Sequence, residues 1–166
     1  MLNAMPRSKE VRRKAARIYD AVVARSREPV FFARFGVADT LDGRFDLLAL
    51  HAWLVLERLQ RDARLSQALI DAIFLGFDEA LRELGAGDIG LGRRMKKMAD
   101  AFYGRLKAYG AATDQAAMEA ALIRNLYRGT VAPGAEMVAR YALRAKTRLD
   151  TWDGGAPDFG PLPGGD

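Results

Sequence analysis

Apolar residues recur at three- and four-residue spacing along nearly the whole chain, and no segment alternates with period two. A helical period gives each segment one apolar stripe, and the stripes must be buried against one another. The expected fold is therefore all-α, a single-domain bundle of about six helices. The first predicted helix, 7–27, places Val11, Ala15, Ile18, Val22 and Val23 on one face, and Glu28-Pro29 ends it. Residues 28–41 form an apolar connector containing Phe31, Phe32 and Phe35. A second helix opens at Asp42-Gly43, with Asp42 as its cap, and is apolar on more than one face as far as Leu59, so it is expected at the centre. Further helices are expected from a Ser66 cap to Leu84, from Arg93 to Tyr109, from an Asp114 cap to Leu126, and from Pro133-Gly134 to Leu149. Between the third and fourth lies a glycine-rich hinge at 85–92, with Gly85, Gly87, Asp88 and Gly92. Residues 1–150 form the helical domain, and the Gly-, Pro- and Asp-rich stretch 151–166 is expected to be a disordered tail.

Charge is distributed unevenly. The net charge is +5, but residues 7–27 alone hold eight basic residues against two acids, and residues 93–107 hold six against one. Two basic surfaces, one with Arg12, Arg13 and Lys14 and one with Arg93, Arg94, Lys96 and Lys97, suit RNA, a ribosome or an anionic membrane. DNA is not expected as a partner. No apolar run reaches membrane-spanning length, and no signal-peptide core stands at the N-terminus. The expected location is cytoplasmic, with the basic surfaces allowing peripheral contact with an anionic membrane.

The chain has no cysteine and one histidine. Thiolate nucleophiles, disulfides and sites needing two imidazoles are thereby excluded. His51 lies among Leu50, Trp53 and Leu54, where a hydrogen-bonded core role is expected. The carboxylates Asp39, Asp42 and Asp46 cluster at the start of a helix, and capping and the helix dipole account for them without a metal. The glycine stretch 85–92 lacks the Gly-Lys-Ser/Thr of a phosphate loop and follows a helix rather than a strand. No cofactor is called for, and the spacing of His51 and the methionines requires no haem.

Two stretches are longer and more specific. One runs from Phe31-Phe32-Ala33-Arg34-Phe35-Gly36 through Asp39-Thr40-Leu41-Asp42-Gly43-Arg44-Phe45-Asp46. The other runs from Leu81-Arg82-Glu83-Leu84-Gly85 through Gly87-Asp88, Lys96-Lys97-Met98 and Phe102-Tyr103-Gly104-Arg105. Over roughly residues 30–150 the chain resembles the ubiquinol–cytochrome c chaperone family, the assembly factors of the cytochrome bc1 complex. Ala38 and Leu84 depart from the proline and methionine expected in relatives.

The resemblance implies a non-enzymatic chaperone that holds newly made cytochrome b, with a small helical partner and a ribosome in the mitochondrial relatives. The client-binding residues expected on that basis are Phe31, Phe32, Phe35, Gly36, Asp39, Arg44 and Phe45. Two other classes fit parts of the chain: a helical RNA- or ribosome-binding module using the basic surfaces, and a small enzyme taking an anionic ligand at the glycine hinge.

Overall fold

The computed structural model describes residues 4–165. The described residues contain helices and no strand. Seven helices follow in order: α1 Ala4–Ser26, α2 Pro29–Ala33, α3 Leu41–Arg58, α4 Ala63–Glu83, α5 Asp88–Ala111, α6 Gln115–Asn125 and α7 Ala135–Leu149. Six are the long helices expected from periodicity. The seventh, α2, is five residues long and lies inside the connector, where Pro29 at its first turn supplies the helical φ.

The caps sharpen the boundaries. Thr40, not Asp42, caps α3: its Oγ1 accepts from the Gly43 amide at 3.1 Å. Asp62, not Ser66, caps α4, accepting from Leu65 at 3.0 Å, while the Ser66 hydroxyl donates to the Leu59 carbonyl. Asp114 caps α6 as expected. The glycine-rich stretch is shorter as a break than expected. Gly85, with φ +80°, ends α4, and its amide and that of Ala86 return to the Arg82 and Leu81 carbonyls. α5 then begins at Asp88, so Gly90 and Gly92 are helical and the expected hinge at 85–92 contracts to a four-residue turn, 84–87.

α3 is the central helix and packs against α1, α5 and α7. Eleven of its residues are buried, from Gly43 to Val55. α1 and α4 run parallel: Ser8 and Arg12 share a groove with Ala63 and Gln67, and Tyr19 lies against Gly76. α5 returns antiparallel to α4, so that Phe74 and Phe77 meet Phe102. α6 and α7 close the bundle as a hairpin.

His51 is fully buried in the core, as expected. Its Nδ1 lies 2.9 Å from the Leu47 carbonyl, which can only accept, so Nδ1 carries the proton. Nε2 then accepts from the Tyr141 hydroxyl at 2.9 Å. Burial pushes its pKa down from 6.5 to about 3.

The segment expected to be a disordered tail instead packs on the bundle. Phe159 is buried edge-on against His51, with ring centroids 5.3 Å apart. Arg25 lies over the Phe159 ring and donates to the Gly160 carbonyl at 2.7 Å. Arg148 pairs with Asp158 at 2.6 Å. One aromatic anchor and two arginines thus hold a Gly- and Pro-rich segment whose composition alone suggests no order.

Candidate functional site

The connector places its phenylalanines unequally. Pro29 starts the short helix α2, which turns Phe31 inward, and the turn that follows α2, closed by the Phe35 amide on the Val30 carbonyl, folds Phe35 in as well; both are buried. Phe31 stands edge-on to His51 at 5.4 Å and to Tyr141 at 5.6 Å. Phe45 is buried against Phe77, under the guanidinium of Arg105. These three are core side chains, which corrects the expectation that they line a client groove. Phe32 is the half-buried one.

Phe32, with Arg27, Pro29, Ala33, Asp39 and Arg44, lines an open groove of ≈ 730 Å³. Arg44 and Asp39 pair at 2.9 Å on its exposed wall. Gly36 is exposed at φ +71°, in the turn after α2, and lets Val37 bond back to the Phe31 carbonyl. Of the seven expected client-binding residues, Phe32, Asp39 and Arg44 thus face one groove, and Phe31, Phe35 and Phe45 belong to the core instead.

The two basic surfaces do not merge. Arg12 lies level with residues 64–67 of α4, near that helix's start. Arg93 to Lys97 lie beyond the level of Phe77 and Phe102, toward its end. At 1.5 Å per residue the two groups stand about 25–30 Å apart along the bundle. Arg12 and Arg13 are exposed and Lys14 is half-buried, and Arg93, Arg94, Lys96 and Lys97 are all exposed. The side chain of Arg7 lies outside the described residues. Among the described residues, none of these seven cations forms an ion pair.

The most buried charge was not singled out by sequence reasoning. Asp46 is fully buried and pairs with Arg105 at 2.8 Å and Arg128 at 2.9 Å. Arg128 also reaches Asp42 at 3.3 Å. Burial pushes the Asp46 carboxyl upward, and the hydrogen bond and charge of Arg128 with the charge of Arg105 oppose that shift. Asp46 was visible as one of three acids at a helix start. Its partners lie 59 and 82 residues away, beyond the reach of local patterning. Among the described residues, no group of three His, Asp or Glu side chains is placed to hold a metal.

The arrangement defines a helical bundle that acts by binding, with accessible apolar side chains and unpaired cations on its outside. Comparison with known proteins assigns it more closely. The family model described as ubiquinol–cytochrome C chaperone matches residues 33–156. The solved structure described as the Cbp3 homolog from Brucella abortus superposes with a TM-score of 0.82 at 36% identity, covering 95% of this chain and 97% of that one. The Xenopus laevis ubiquinol–cytochrome-c reductase complex assembly factor 1 is 26% identical over 148 residues, 84% of this chain and 74% of that protein. The chain belongs to the ubiquinol–cytochrome c chaperone family. It is a non-catalytic assembly chaperone for the bc1 complex.

Proposed function

We propose that the chain holds newly made cytochrome b during assembly of the bc1 complex, and that the client is engaged at the groove around Phe32. The observation that carries the siting is the position of Phe32, the accessible member of a connector whose other phenylalanines are core. An aromatic ring at a groove floor, flanked by Arg27 and Arg44, suits a segment with an apolar body and polar ends. Among the described residues no helix is long and apolar enough to cross a membrane, so contact with an integral client is made from the surface. In this reading the chain works peripherally at the inner membrane.

Purification of tagged chain from its native host tests this proposal. Wild type retains cytochrome b, and Phe32→Ala loses most of it while keeping its helical circular dichroism. Equal recovery by the variant would remove the groove from the account. The cations Arg12, Arg13 and Lys14, at the opposite end of the bundle, favour a second contact with a polyanion such as ribosomal RNA. That contact weakens steeply with salt and is independent of Phe32.

A further inference from the structure

We propose that the tip of the α4–α5 hairpin, residues 82–97, docks on an anionic phospholipid surface. Leu84 and Ile89 enter the headgroup layer, and Arg93, Arg94, Lys96 and Lys97 meet lipid phosphates. The inference extends the reading of a peripheral chaperone for a membrane protein and fixes which face meets the bilayer.

The tip is a small unit of its own. Leu91 within it and Leu81 at its base are buried yet lie outside the main core. Arg82 braces the turn, pairing with Asp78 at 2.9 Å on α4 and with Asp88 at 3.2 Å on α5. Gly85 turns the chain so that Leu84 and Ile89 stand on either side of the break. Leu84 is exposed, and Ile89 is fully exposed. Two large aliphatic side chains projecting at a braced turn are not filling any core.

The charge follows immediately on α5. Four cations occupy five positions from 93 to 97, all exposed and none in an ion pair among the described residues. Glu83 and Asp88 stand on the same tip, and residues 82–97 keep a net charge of +3. An anionic bilayer offers both things this surface asks for, apolar depth and phosphate charge. A nucleic acid would use the cations and leave Leu84 and Ile89 in water. α1 is parallel to α4, so the Phe32 groove lies at the same end of the bundle as the tip. Docking by the tip would hold that groove near the membrane.

Flotation of the full chain with phosphatidylcholine vesicles, with and without phosphatidylglycerol, tests the proposal. Wild type is expected to float only with the anionic vesicles and to detach as salt rises. Reversal of Lys96 and Lys97 to Glu is expected to weaken binding about tenfold or more. The uncharged double change Leu84→Ser with Ile89→Ser is expected to weaken it by about tenfold as well. Both variants alter exposed positions, and circular dichroism confirms their folding. Unchanged flotation of the serine variant would overturn the proposal, as would failure of wild type to bind anionic vesicles. Binding of an RNA oligomer that is lost on charge reversal but untouched by the serines, with no flotation, would assign the surface to RNA instead. Capture of cytochrome b in detergent through Phe32 needs no bilayer, so it reports separately on the client.

Discussion

His51 shows how one buried imidazole ties two helices and the C-terminal segment together. It touches Leu47 and Ser26 through Nδ1, Tyr141 through Nε2 and the Phe159 ring on one side. Every one of these contacts suits the neutral ring. Its native pKa lies near 3 against an ordinary value of 6.5. The unfolded chain therefore takes up a proton in that window and the native chain does not, so stability falls as pH drops from 6.5 toward 3. The loss attributable to this group is on the order of 4 kcal/mol at the acid end. Urea unfolding at a series of pH values checks it. The difference in slope between wild type and His51→Gln is expected to lie within that window, and identical slopes would contradict the assignment.

At the scale of elements, two junctions set how the helices meet. A Cβ on Gly43 would overlap the carbonyl oxygen of Ala38, so glycine lets the connector fold down onto the first turn of α3. Gly43→Ala is expected to cost about 2 kcal/mol. Gly104, inside α5 with open space around it, is the control: Gly104→Ala is expected to stabilise by about 0.5–1 kcal/mol. Thermal unfolding of the two variants distinguishes a required glycine from a tolerated one. The second junction is Asp46, which joins α3 to Arg105 of α5 and to Arg128 in the turn after α6. Removing one member of a buried pair leaves the others uncompensated. Asp46→Asn is expected to lose about 3 kcal/mol in denaturant unfolding. Helix existence was legible because each stripe repeats every three or four residues. The Asp114 cap was legible because it sits directly before its stripe. Asp46 with its two arginines was not, because what defines that site is distance in space.

Across the whole molecule, the parallel course of α1 and α4 decides what the surface can do. It carries the α1 cations to one end and brings the Phe32 groove and the α4–α5 tip to the other. Sequence alone showed two basic runs and one phenylalanine-rich connector, with nothing to say which shared an end. The connector reads as uniformly apolar, yet α2 and the turn after it send Phe31 and Phe35 into the core and leave Phe32 half-buried. The C-terminal segment reads as disordered from composition, yet Phe159 finds a place against His51 that only the assembled bundle provides.

The most direct test of the account places a photoreactive benzoylphenylalanine at position 32 of the full chain in its native host, with irradiation during cytochrome b synthesis. A crosslink to cytochrome b is expected from position 32, and none from a control position on α1 level with the start of α4, such as Arg13. A folded chain that crosslinks from position 32 to other proteins alone, or that crosslinks cytochrome b equally from both positions, would contradict the account.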